Sequence, residues 1–309
     1  MLAVRLYEYG AVDKFCFEEI PIPQPQADEV LVRVQATSVN PIDWKQRAGL
    51  VQGRLPLSLP IILGCDFAGT IAGVGAAVRN FQIGDEVFGY CGVQRDGAYA
   101  EYLALPAAHI ALKPRSMTMT EAGALPLAAI TAYVAIIEAA ELRRGQSLLV
   151  HGAAGGVGSM AVQLAKYAGA IVYATGSAKG EALIRSLRAD VFINYHSTPF
   201  EDVAREMHVV LDTIGGETQA RSWQCLVPNG FMAAVATPPS PELMQRYGCR
   251  GTRPSARPDG KLLAEFARLV DAGHLRVIID SVFGLRDLGA AQSRSETGHV
   301  HGKVAITVP

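Results

Sequence analysis

Residues 147–177 read SLLVHGAAGGVGSMAVQLAKYAGAIVYATGS. Ser147–Val150 is a short apolar run without alternation, the pattern of a strand buried on both faces. A glycine-rich turn follows at once. VGSMAVQLAKYAG then has helical spacing and closes at Gly169, and AIVYATG is a second buried strand. Strand, helix and strand make a βαβ unit with parallel strands. Within it, Gly152, Gly155 and Gly158 form G-x-x-G-x-x-G, a variant of the dinucleotide fingerprint in the required strand-to-helix context. Small residues let the backbone turn sharply and approach a pyrophosphate. The helix start, at Gly156, Val157 and Gly158, offers unpaired N–H groups and a partial positive charge to it.

The second strand bears on which dinucleotide is held. An NAD site ends this strand in Asp or Glu, which binds the ribose 2′-hydroxyl. Here it ends in Thr175, Gly176 and Ser177, with Lys179 just beyond. A hydroxyl and an ammonium suit a 2′-phosphate, and no carboxylate is there to repel one, so NADPH is expected. The nearest acid, Glu181, falls in the following helix.

Outward from this unit the alternation of helix and strand continues through ALIRSLRAD, VFINY, MHVVLDTIGG, QARSWQCLV and GFMAAVA, which predicts a doubly wound parallel sheet. The first 110 or so residues read differently. AVRLYEYG, KFCFEEIPIP, EVLVRVQATSV, FAGTIAGVG, DEVFGY and AEYLALP are short strand patterns punctuated by Gly, Pro and Asp, as in a partly rolled β-domain. Gly73–Val74–Gly75 repeats G-x-G without a helix after it and reads as a turn. PPSPELMQRYGCRGTRPSARP (238–258) reads as a surface connection or short lid. KLLAEFARLVDAG is an amphipathic helix. HLRVIIDSVF and HGKVAITVP are strands too few for a domain of their own, and are expected to rejoin the N-terminal one.

Bulk properties exclude several classes. At 309 residues and half hydrophobic, the chain has material for two cores. A net charge of −1 and no basic block give no reason to expect nucleic acid or an anionic membrane as partner. No apolar run reaches the length of a membrane span. The five cysteines are scattered and never in C-x-x-C spacing, so reduced thiols in a cytoplasmic protein are expected, with no disulfide framework and no zinc knuckle.

In order along the chain come SVNPIDWKQRAG, LPIILGCDFAGTI, FQIGDEVFGY, GAYAEYLALP, VHGAAGGVGSMAVQLAK and HGKVAITV. This set resembles the zinc-independent medium-chain dehydrogenase/reductases, in the quinone oxidoreductase-like (zeta-crystallin-like) branch. The resemblance covers nearly the whole chain and weakens between about 236 and 258. It implies an α/β protein: a GroES-like β-rich catalytic domain, 1–118 and 259–309, and a Rossmann domain, 119–258, with a cleft between them. It implies NADPH-dependent reduction of quinones or α,β-unsaturated carbonyls, in a homodimer or tetramer. An NADPH-binding sensor or interaction protein with little turnover is the alternative, since the glycine turn would serve either. Family members often carry a longer segment before the last amphipathic helix, a segment that helps wall the cleft and form the dimer.

The zinc-dependent relatives hold catalytic zinc with a Cys, the His of a G-H-E turn and a later Cys. Here Asn40 stands at the first place, Gly64–Cys65–Asp66 at the second, and LPLAAITAYVA supplies no third ligand. Catalytic zinc needs three converging protein ligands, so no metal is expected. Cys65 then reads as a small hydrophobe in a buried turn, and Asp66 as a hydrogen-bond acceptor there or at the floor of the cleft.

Hydride transfer needs the cofactor positioned and the acceptor polarised; the proton can come from water. From the resemblance, Asn40 donates its amide to a substrate carbonyl. Asp43 holds the turn, or the nicotinamide ribose through Lys45, and Lys45 donates to a developing oxyanion or to ribose hydroxyls. Thr131 matches a position at the nicotinamide end, and Tyr195 one near the adenosine phosphate. Ile214, Gly215, Val235, Ala236 and Thr237 lie just after later sheet strands, at the ligand-binding edge. Gly302 and Lys303 match a terminal turn that closes beside the cofactor. His151 packs or hydrogen-bonds at its strand end.

Overall fold

The computed structural model describes residues 1–309. Eight strands come first: β1 (Leu2–Leu6), β2 (Phe15–Glu19), β3 (Glu29–Val39), β4 (Ile61–Ile62), β5 (Asp66–Val74), β6 (Glu86–Tyr90), β7 (Tyr102–Pro106) and β8 (Ile110–Leu112). Six follow: β9 (Ser147–Val150), β10 (Ile171–Gly176), β11 (Val191–Asn194), β12 (Met207–Asp212), β13 (Leu226–Ala234) and β14 (Arg250–Thr252). β15 (Ile279–Gly284) and β16 (Lys303–Thr307) close the chain. Four helices matter below: α1 (Pro41–Arg47), α2 (Met119–Ala122), α3 (Pro126–Tyr133) and α4 (Gly156–Tyr167). No helix is long and apolar enough to cross a membrane.

Two compact units result. Unit 1 comprises Met1–Leu127, Arg257–Gly273 and Val277–Pro309. Its larger sheet runs β15-β16-β3-β5-β6-β8, with β7 also on β3; β2-β1-β4 form a smaller one. β3 alternates as VxVxVxA, placing Val30, Val32, Val34 and Ala36 in the core beside Phe67, Ile71, Phe88 and Leu105. The two final strands join this sheet through β16, antiparallel to β3.

Unit 2 comprises Ala128–Ala256 and His274–Arg276. Its six strands lie in the order β11-β10-β9-β12-β13-β14 and are all parallel. Numbered within the unit this is 3-2-1-4-5-6, the doubly wound dinucleotide order, with its switch point between β9 and β12. α4 buries Met160, Ala161, Val162, Leu164 and Ala165, the apolar stripe of its sequence.

Two local readings change. Segment 119–127, expected in the nucleotide domain, belongs to unit 1 because α2 packs on β3 and β5 there. Residues 238–258, read as an irregular connection or lid, contain a capped helix, Pro241–Tyr247, and β14, the sixth strand of the parallel sheet. The signals were local: Ser240 accepts from the Leu243 N–H, proline follows it, and Gly248 takes the left-handed conformation that ends a helix. The high content of Pro, Arg and Ser masked them.

Candidate active site

In unit 1 the sheet register assembles a buried polar cluster. Thr37 pairs with Phe67 across β3 and β5, so Ser38 and Asp66 face each other one step further on. Val39 pairs with Val304 across β3 and β16, which brings Asn40 opposite Lys303. Asp66 is fully buried, as expected of an acceptor, although it opens a strand and is not part of a turn. Its Oδ2 accepts from Ser38 Oγ at 2.9 Å, Asn40 Nδ2 at 2.9 Å and Lys303 Nζ at 3.2 Å, and its Oδ1 from the Leu127 N–H at 2.7 Å. Lys303 Nζ also donates to Asn40 Oδ1. Lys303, expected beside the cofactor, stands in unit 1 with its ammonium turned inward on this cluster. The register of β16 places it there.

A second carboxylate fixes the backbone of the same asparagine. Asp43 Oδ2 accepts from the Asn40 N–H at 2.7 Å and from Tyr99 Oη at 2.9 Å, and its Oδ1 from Cys65 Sγ at 3.0 Å. Asn40 and Asp43 form the capping box that starts α1, with Pro41 at the first helical position. Of the two roles expected for Asp43, its contacts match holding the turn. Burial pushes its carboxyl up to about 6, against the opposing pull of the three donors. Burial, then the Asp43 charge, raises the Cys65 thiol well above its ordinary range, so Cys65 is an inert buried donor. Lys45 lies half-buried on α1, its Nζ 5.3 Å from the centre of the Trp44 ring.

In unit 2 the glycine turn caps α4. Gly152 has φ +66°, and a Cβ there would meet Thr213 Oγ1 at 2.5 Å. A Cβ on Gly158 would collide with the Gly152 carbonyl oxygen. Gly155 is the N-cap and carries no side chain to occupy the free N–H groups of Gly156, Val157 and Gly158. The tight turn thus admits no side chain at Gly152 or Gly158 and leaves the helix-start N–H groups uncapped, a backbone cradle that fits a pyrophosphate. Ser177 and Lys179 follow β10 in a short 3₁₀ turn, Lys179 exposed; Glu181 is paired with Arg185 at 2.8 Å. Tyr195 is half exposed after β11, its ring 4.3 Å from that of His196, and is not a core residue. Thr131 is buried on α3. Ile214 is exposed after β12, and Val235 and the exposed Thr237 follow β13.

Several contributors escaped the sequence reading. Asp212 ends β12 fully buried and accepts from the Ile214 and Gly215 N–H groups, both at 2.9 Å, and from Gln219 Nε2 at 3.0 Å. Gln219 also donates to the Thr237 carbonyl, tying together the turns after β12 and β13. An Asp closing an apolar strand just before T-I-G-G was the available signal. His151, by contrast, was expected to pack or hydrogen-bond at its strand end, and it is a buried hub at the end of β9, Nδ1 3.1 Å from Thr175 Oγ1 and Nε2 2.9 Å from Ser222 Oγ. Tyr99 and Ser38 had no local signal at all.

Comparison with known proteins agrees with this geometry. Residues 26–115 match the alcohol dehydrogenase GroES-like domain, and residues 187–306 a family described as zinc-binding dehydrogenase. The chain is 35% identical to 2-methylene-furan-3-one reductase of Solanum lycopersicum, over 99% of this chain and 79% of that protein. It is 34% identical to the chloroplastic NADPH-dependent alkenal/one oxidoreductase of Arabidopsis thaliana, over 97% and 77%. It belongs to the zinc-independent medium-chain dehydrogenase/reductases, in their quinone oxidoreductase-like branch. Among solved members, the quinone oxidoreductase of Coxiella burnetii superposes with TM-score 0.91 at 31% identity, covering 100% of this chain and 99% of that one. The Escherichia coli quinone oxidoreductase complexed with NADPH gives 0.88 at 26%, covering 99% and 100%.

The name of one matched family includes zinc, and the residues of this member do not fit it. No three His, Cys, Asp or Glu side chains converge. Asp66 already holds four donors, one an ammonium that would repel a dication, and the Cys65 thiol is directed to Asp43. The backbone cradle of unit 2, in contrast, fits a dinucleotide.

Proposed function

We propose that this reductase uses NADPH to reduce quinones or α,β-unsaturated carbonyls, without metal. One combination supports the reading: a single chain has both the Gly152–Gly158 cradle and, in its other unit, an oriented Asn40 amide at the place in the sequence where zinc-dependent relatives keep a ligand. The names of the relatives, a furanone reductase, an alkenal/one reductase and quinone reductases, supply the acceptor class.

Bound NADPH supplies the hydride. The N–H groups of Gly156, Val157 and Gly158 hold its pyrophosphate, and Ser177 and Lys179 its 2′-phosphate, with Tyr195 beside the adenosine. Thr131, Ile214, Val235 and Thr237 complete the nucleotide set. Asn40 donates to the acceptor oxygen as charge develops there, Asp43 holds the turn that presents it, and Lys45 adds a cation. Water delivers the proton. The proposal extends to a cytoplasmic homodimer, supported for the compartment by five unpaired cysteines; some relatives are chloroplastic or mitochondrial.

The test is NADPH oxidation against a panel of quinones and enones, with NADH and EDTA controls. Turnover that prefers NADPH and survives EDTA is expected. NADPH binding without turnover of any acceptor would favour the sensor reading, and loss of activity in EDTA would overturn the metal-free mechanism.

A further inference from the structure

We propose that Lys303 is a positioning residue that acts through Asn40, locking its amide and making it a stronger donor. This rests on the reading that Asn40 meets the acceptor oxygen. An amide can turn over and exchange its oxygen and nitrogen, but this one has no such freedom. A lysine ammonium only donates and a carboxylate only accepts. With Lys303 Nζ on one side and Asp66 Oδ2 on the other, Oδ1 must face the lysine and Nδ2 the aspartate. Nδ2 carries two protons. Asp66 takes one, and the other has no partner in the chain, although Asn40 as a whole is only 4% exposed.

The charge on Lys303 adds to the orientation. A cation on the carbonyl oxygen draws electron density from the amide nitrogen and strengthens its remaining N–H, the cooperative effect of linked hydrogen bonds in a low dielectric. The ammonium thus does at one remove what a Lewis acid would do directly on the substrate oxygen. Stability alone does not account for the pair. Lys303 and Asp66 are 4% and 0% exposed at the side chain, and a buried ion pair is often replaceable by apolar groups at no loss. Ser38 Oγ and the Leu127 N–H hold Asp66 independently, so the carboxylate does not need the lysine for its satisfaction.

The test compares Lys303→Met, Asp66→Asn/Lys303→Met and Asn40→Ala with the wild type. The double variant removes both charges together, so it guards against a single variant that fails to fold. NADPH binding is followed by fluorescence. Single-turnover NADPH oxidation is followed with aryl enones bearing graded electron-withdrawing substituents. Folded variants lacking Lys303 should bind NADPH as the wild type does and transfer hydride about tenfold or more slowly, against the ~100-fold typical of losing a direct donor. Their rates should also depend more steeply on the substituent, because the enzyme no longer supplies the polarisation. A merely structural lysine would not move that slope. A slow Asn40→Ala with wild-type rate and slope in the lysine variants would overturn this inference alone. An unimpaired Asn40→Ala would overturn the Asn40 reading with it.

Discussion

Protonation of His151 should destabilise unit 2 in mild acid, and its geometry sets the size of the effect. The Ser222 hydroxyl donates to the Thr218 carbonyl at 2.6 Å, so Nε2 must carry the ring proton and donate to Ser222 Oγ. Nδ1 then accepts from the Thr175 hydroxyl. A second ring proton would reverse that bond and leave the Thr175 hydroxyl only the Val150 carbonyl, at 3.5 Å, to donate to, inside a site whose other wall is Phe200, ring edge to face at 4.5 Å. Burial is the main cause that pushes the imidazole down from 6.5 to about 4, with Asp212 opposing it. Between these values the unfolded chain holds the extra proton and the fold does not. Stability from the neutral ring is complete above 6.5 and is lost as pH falls toward 4. At ~1.4 kcal/mol per pH unit, that interval is worth about 3 kcal/mol. The assay is urea unfolding of wild type and His151→Gln from about pH 7 to pH 4. A Trp44→Phe background leaves Trp223, buried in unit 2, as the sole tryptophan reporter. At neutral pH the variant should be ~1–3 kcal/mol less stable, from an unpaired hydroxyl. The difference should shrink by about 3 kcal/mol on acidification and can change sign. A difference that stays flat with pH would refute the neutral, doubly bonded ring.

Other outcomes follow from the same geometry. Gly158→Ala pushes the helix start off the Gly152 carbonyl and should weaken NADPH binding at least ~10-fold by titration calorimetry, with the β-rich unit intact. Lys179→Ala should raise the NADPH Kd about tenfold and leave that for NADH unchanged; equal effects on both would remove Lys179 from the 2′-phosphate. Lys45→Ala should lower turnover ~10-fold or more with NADPH still bound, and an unchanged steady-state rate would exclude Lys45 from the chemistry.

What the sequence determined by itself is local and periodic. SLLV, the glycine turn, the apolar stripe of α4 and AIVYATG each carry their structure in adjacent residues, and a βαβ unit admits essentially one handedness, so the nucleotide cradle could be read directly. The turn that Asp43 holds at Asn40 is equally local. What lay outside that reach depended on register. Asn40, Asp66 and Lys303 are far apart in the chain and become neighbours only because β16 and β5 flank β3 at particular offsets, and Tyr99 reaches Asp43 only because residues 97–99 bond to the 62–64 backbone. A slip of one residue would turn each side chain to the opposite face. The sequence could thus say that Cys65–Asp66 is no zinc pair, because ligands were missing. Only the sheet could say that an ammonium from the last strand lies beside Asp66, because its partner is chosen by strand pairing and burial and not by spacing along the chain.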